Sequence, residues 1–304
     1  MIKKANNHRS KSHLEITNQK DLFNNINNND INNRNNEDLL HQRSESEYYF
    51  KCDETTNFGI KLWMDGSKFF GTFKNYLANG WGTFHHYNSE IFRGQFVNNQ
   101  VCGYGEYLHK NGYINIGFWK NDTQIGIGYE IMGDSCFYSG EFMNGKKNGI
   151  GSYIWADNNK YEGEIKNNLF HGFGIYTYED GRKYSGQWDK NHINGYGEMD
   201  WIEGNKYYGY YKNDKKDGFG IYYSAEGKYY IGFWKKGKQE GFGEYISNNK
   251  KKYGIWKNGK KEQKLSEHDF ANALENNNKN YPFFHWDIYK IKCFLNIYNA
   301  NPSF

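Results

Sequence analysis

Tyr161 to Lys183 reads YEGEIKNNLFHGFGIYTYEDGRK, and the chain repeats this 23-residue unit. Its glycines are Gly163, Gly172 and Gly174, and steps of 23 in either direction land on glycine across eight units. The first position runs from Gly71 to Gly232, the second from Gly80 to Gly241 and the third from Gly82 to Gly243. Twenty-four glycines in one register define a repeat array before any other feature is weighed.

Within a unit the alternation has period two, which marks strands and not helices. Tyr161, Gly163 and Ile165 share one side, while Glu162 and Glu164 take the other. A polar loop is expected from Asn167 to His171. A second strand then places Gly172, Gly174, Tyr176 and Tyr178 on one side, with Phe173, Ile175 and Thr177 opposite. Glu179-Asp180-Gly181 supplies a closing turn. Each unit is therefore a β-hairpin, marginal alone and stabilised by stacking on its neighbours. The glycines, lacking Cβ, leave floor space for aromatic rings. Rings recur two residues before the first glycine, as in Tyr161 and Tyr184, and two residues after it, as in Trp119, Trp188 and Trp234. The third unit departs with Asn115 and Glu130 and is expected to be the weakest link of this face.

Aromatics make up 19% of the 304 residues, so rings buried between units replace an aliphatic core. The only prolines, Pro282 and Pro302, lie outside the array and leave its backbone pairing uninterrupted. A formal charge of +4 is modest and says little about partners by itself, and no nucleic acid partner is expected. Cys52, Cys102, Cys136 and Cys293 have no paired spacing and are expected as free thiols of a reducing compartment. There is no apolar run of membrane-spanning length, no signal peptide and no myristoylation motif, since Ile2 follows Met1. These features make a cytoplasmic protein, free or peripheral at a membrane or the cytoskeleton, the expected class.

The pattern Y-x-G-x-[WF]-x6-G-x-G resembles the MORN repeat, the membrane occupation and recognition nexus motif, over about residues 58 to 265. The resemblance implies an all-β fold, an elongated open array of antiparallel β-hairpins forming a single-layer twisted sheet. It also implies a non-enzymatic scaffold with protein partners at a membrane-associated cytoskeletal structure, or an accessory subunit of a separate enzyme. Binding to acidic phospholipids is often proposed for the family. The expected segments are a disordered Asn-rich stretch at 1–45, a degenerate capping half-repeat at 46–66 and eight repeats at 67–251. A terminal half-repeat at 252–265 and a C-terminal helix with an aromatic tail at 266–304 complete the chain. Ser266 is the expected N-cap of that helix, with Asp269 in capping-box position. Open sheet ends and the tail aromatics favour a homodimer.

Three G-x4-G-K stretches, Gly140 to Lys146, Gly232 to Lys238 and Gly254 to Lys260, imitate a phosphate-binding loop. Each lacks the following Ser or Thr and begins in a strand, so all are by-products of the repeat. His86 and His109 stand one period apart, but no third metal ligand recurs at that position, and His85 adds none. No catalytic constellation is found, and no cofactor or metal is expected.

Two candidate surfaces remain. The residue between the second and third glycines is always apolar: Trp81, Tyr104, Ile127, Ile150, Phe173, Tyr196, Phe219 and Phe242. By alternation this row faces away from the aromatic ladders and is a candidate partner-binding surface. The hairpin loops grow basic toward the C-terminus, through Lys146, Lys147, Lys212, Lys215 and Lys216, then Lys235, Lys236, Lys238, Lys257, Lys260 and Lys261. Loops one period apart stack at one edge, so these lysines form a candidate ridge for acidic lipid headgroups.

Overall fold

The computed structural model describes residues 47–277 except Asp134, and all of them belong to the second of two units, Arg43–Phe304. The sequence expectations for 1–45 and for the aromatic tail beyond 277 lie outside the described residues.

The first hairpin is β1 (Glu47–Cys52) with β2 (Phe58–Trp63). Full units follow as β3 (Lys68–Lys74) with β4 (Leu77–His85), β5 (Ile91–Val97) with β6 (Gln100–Leu108), and β7 (Ile114–Lys120) with β8 (Thr123–Ile131). Next come β9 (Phe137–Met143) with β10 (Lys146–Ile154), and β11 (Lys160–Lys166) with β12 (Leu169–Thr177). After them stand β13 (Lys183–Asp189) with β14 (His192–Asp200), and β15 (Lys206–Lys212) with β16 (Lys215–Tyr223). The last pairs are β17 (Tyr229–Lys235) with β18 (Lys238–Ser247), and β19 (Lys250–Lys257) with β20 (Lys260–Leu265). Each strand pairs antiparallel with the next in sequence, giving one open 20-stranded sheet. The helix α1 (Glu267–Asn277) follows, with the Ser266 hydroxyl accepting from the Asp269 amide at its N-cap.

The connection inside each unit is shorter than the expected polar loop. Asn167 and Asn168 alone make the turn, at φ 51° and 67°, and the equivalent pairs in other units adopt the same left-handed geometry. That is the type I′ turn, whose twist matches the flanking strands, and it explains the Asn that recurs there. The turns between full units are three-residue loops closed by a left-handed residue, Gly181 in the type unit, whereas Asn248 and Asn249 alone join β18 to β19. There the Asp180 carboxylate accepts from the Arg182 amide two residues on.

The first and third glycines form one ladder across the sheet, with Gly163 opposite Gly174 and Gly174 opposite Gly186. A ring lies on this ladder, since a Cβ on Gly174 would stand 2.4–2.5 Å from the Tyr161 ring and hydroxyl. The second glycine has another job. Gly172 sits at φ +60°, where the register between β11 and β12 shifts and the second strand bends. The rings interlock along the inner face. Tyr184 packs edge-on against Trp188 of its own unit at 5.3 Å and Tyr211 of the next at 5.5 Å. Tyr207 does the same with Tyr211 and Trp234. Such contacts each contribute about 0.5–1.5 kcal/mol beyond area burial. Tyr161, Tyr184 and Tyr207 are fully buried, so the inner face is the core.

Candidate interaction surfaces

The outer face is set by the same bend that makes the core. At the register shift the Glu164 side chain folds back and accepts from the Phe173 amide at 2.8 Å. Glu141, Gln95 and Gln187 cap Ile150, Tyr104 and Tyr196 in the same way. The residue between the glycines is thereby held pointing outward. Sequence reading missed this capping position, although a Glu or Gln one residue past the first glycine, at Gln95, Glu141, Glu164 and Gln187, is a visible signal.

Trp81, Tyr104, Ile127, Ile150 and Phe173 are exposed, Phe173 by 59%. The row does not continue. Tyr196 and Phe242 are half-buried, and Phe219 is 3% exposed with its ring edge-on to Phe233 at 5.6 Å. Phe219 therefore leaves the candidate surface, and its outer-face neighbour Ile221 is buried as well.

The exposed stretch is richest around the third and fourth units. Tyr129, Phe137 and Ile154 are exposed there beside the half-buried Ile116 and Ile131. Between them Ser139 and Ser152 pair across β9 and β10 and floor a groove of about 290 Å³. The inner side of the same region is polar. Asn115 donates to Gln124 at 3.0 Å, and His109 Nε2 donates to Asn115 at 2.8 Å. Tyr107 donates to Glu90 at 2.6 Å, and Lys147 meets Glu130 at 2.6 Å. Burial alone pushes the Glu90 carboxyl up, but hydrogen bonds from Tyr107 and Asn88 and the nearby His109 bring it below its ordinary value. The expected weak link is thus a buried hydrogen-bonded network, with apolar residues outside and polar ones within.

The lysines divide into two sets. Lys146, Lys212, Lys215, Lys235, Lys236, Lys238, Lys257, Lys260 and Lys261 are exposed. Lys212 faces Lys215, Lys235 faces Lys238 and Lys257 faces Lys260 across successive turns. Lys147 and Lys216 do not belong to the ridge, and Lys261, although exposed, stands on the inner side with its stem over Gly254. The turn is two residues long, so the second residue after it already points inward, as the buried Val101, Phe170 and Ile193 do. Lys147 is buried against Glu130 and the Tyr138 and Tyr153 rings. The Lys216 ammonium lies 4.6–4.9 Å from the ring centroids of Trp201, Tyr207, Tyr222 and Trp234. Burial pushes it down to about 7.

The histidines do not converge. His86 stacks near Tyr87, His109 serves the polar network, and no cluster of metal-ligating groups occurs among the described residues. The Gly140 to Lys146 stretch runs along β9 into a hairpin turn, without a helix to present backbone amides to a phosphate. No described helix is long and apolar enough to cross a membrane.

The MORN repeat family model matches residues 92–112, 138–160, 161–181, 184–206, 207–229 and 230–251, and the chain belongs to this family. The gap between the first two matches falls on the third unit, where polar residues occupy the inner face. No curated protein sequence is significantly similar to the chain. Among solved structures, the TCP10 domain of Danio rerio CPAP is similar at 8% identity and TM-score 0.38, covering 68% of this chain and 97% of that one. The SAS-4 (dCPAP) TCP domain of Drosophila melanogaster, in complex with a proline-rich motif of Ana2, has 11% identity and TM-score 0.32. It covers 52% of this chain and 86% of its own. Likenesses at these scores carry no argument about function.

Proposed function

We propose that this MORN-repeat chain is a non-enzymatic, cytoplasmic scaffold that binds protein partners through the exposed outer face between Trp81 and Phe173. The observation that supports it is a contiguous run of exposed apolar side chains on that face, beyond what a solvated sheet normally carries. A peripheral place at a membrane-associated cytoskeletal structure fits the family. Affinity capture with the full chain tests the reading. Proteins retained by the native chain are expected to be lost with Phe173→Lys, at unchanged melting temperature. An identical set of proteins on both would refute it.

A second reading rests on the three stacked lysine pairs at the C-terminal turns. Each exposed lysine adds about 1 kcal/mol of attraction to an acidic membrane surface. Co-sedimentation with acidic vesicles, lost on Lys235→Glu with Lys238→Glu, would support it. Equal sedimentation of both proteins would exclude these turns.

A further inference from the structure

Lys216 stands three units after Lys147, and each is the second residue after its hairpin turn. The Lys147 ammonium meets the Glu130 carboxylate at 2.6 Å and lies over the Tyr138 and Tyr153 rings. Lys216 has the equivalent rings, Tyr207 and Tyr222, but Met199 occupies the repeat position of Glu130. Two indoles, Trp201 and Trp234, stand at the repeat positions of Met132 and Ile165. The one lysine has a carboxylate. The other has four ring faces at 4.6–4.9 Å and no ion-pair partner among the described residues.

The groups around it supply no negative charge. The phenols of Tyr207, Tyr211, Tyr222 and Tyr230 are all raised by burial and stay neutral. Asp217 and Glu203 bear on the Tyr207 and Tyr222 hydroxyls. Rings attract a cation without neutralising it. A buried ammonium without a carboxylate sheds its proton more readily than a solvated one, and about half of this amine is neutral at pH 7. A solvated lysine is neutral in only about one molecule in a few thousand at that pH. The box is not sealed, since Lys216 is half-buried and its stem starts at the turn edge beside the exposed Lys215.

We infer that Lys216 is a covalent modification site, an amine nucleophile that takes a small acyl group from an acyl thioester. The neutral Nζ attacks the thioester carbonyl carbon, a C–N bond forms, the C–S bond breaks and the thiolate leaves. The nitrogen then loses one proton, which the thiolate takes up, so the products are an amide and a thiol. Desolvation among apolar groups activates a lysine for such attack. The amide is uncharged, so acylation removes the buried cation while the rings still cover the aliphatic stem. Four ring walls limit the group to a few heavy atoms, as in acetyl. The site lies on the inner face and is independent of the outer-face partner surface.

The test treats the full chain at pH 7 with the acetyl thioester of N-acetylcysteamine at low conversion, and locates the acetyl groups by mass spectrometry with fragmentation. Lys216 should be acetylated at least about tenfold faster than its neighbour Lys215. Met199→Glu places a carboxylate where Glu130 serves Lys147, holds the ammonium protonated and should slow Lys216 at least about tenfold. The Lys216 rate should also level off above about pH 8, whereas that of a solvated lysine climbs to about pH 10. Lys216 labelled no faster than Lys215 overturns the inference, as does an unchanged rate in a folded Met199→Glu protein. Should that variant not fold, the pH profile of the native chain decides, and a Lys216 rate still climbing to pH 10 overturns the inference.

Discussion

The hydroxyl of Tyr161 donates to the carbonyl of Glu164 at 2.7 Å, closing the gap that the β-bulge opens in the ladder. Tyr138, Tyr184, Tyr207 and Tyr230 make the same bond three residues on. The ring fills the glycine floor and its tip satisfies the backbone, so one side chain joins the packing of the core to the geometry that points Phe173 outward.

Tyr161→Phe should therefore cost about 1–2 kcal/mol by leaving a buried carbonyl without its donor. The reverse change, Phe92→Tyr, puts a hydroxyl where the second unit has none and should be neutral or stabilising by up to about 1 kcal/mol. Urea melts of both variants check this. A Tyr161→Phe protein as stable as the native one would show that the bulge needs no side-chain donor.

The glycine ladder makes a coupling prediction. The atoms nearest a Cβ on Gly174 belong to the Tyr161 side chain, whereas those nearest a Cβ on Gly163 are the Gly174 Cα and the Phe173 carbonyl oxygen. Gly174→Ala should cost about 2–4 kcal/mol and Tyr161→Ala about 3–5 kcal/mol, yet the double variant should fall short of their sum by at least about 1 kcal/mol. Gly163→Ala combined with Tyr161→Ala should show less relief, because backbone remains in the way.

Lys216 links stability to pH. Its ammonium titrates at about 7 in the folded chain and at the ordinary 10.5 when unfolded. Between those values the unfolded chain holds the extra proton, so this residue makes stability rise with pH from about 7 to 10.5. Four ring faces offset part of the desolvation, which keeps the effect to a few kcal/mol. Lys216→Met should be more stable by about 1–3 kcal/mol at pH 7 and should lose the slope. Chemical melts at pH 7 and pH 10 for both proteins decide it, and parallel pH curves would refute the assignment.

The sequence made the strands, the period and the inner rings legible because glycine and aromatic positions alternate without slip. It also placed Trp81, Tyr104, Ile127, Ile150 and Phe173 on the outer side. Lys147 and Lys216 were misplaced for a physical reason. Asn167 to His171 is polar except at Leu169 and Phe170, so the stretch reads as loop, while a type I′ turn consumes only two of its residues. The inward role of Phe170 then passes to lysine in two other units. Phe219 was misplaced because the period repeats along the row while burial does not, and a repeat position alone carries no information on exposure.

Every surface assignment depends on which side of the sheet each strand turns outward, and a one-residue slip would reverse it. Hydroxyl-radical footprinting of the full chain reads that side directly. Trp81 and Phe173 should label fast, while Tyr161, Tyr184 and Tyr207 stay protected. Labelling of Tyr161 and Tyr184 at the rate of Phe173 would contradict the account.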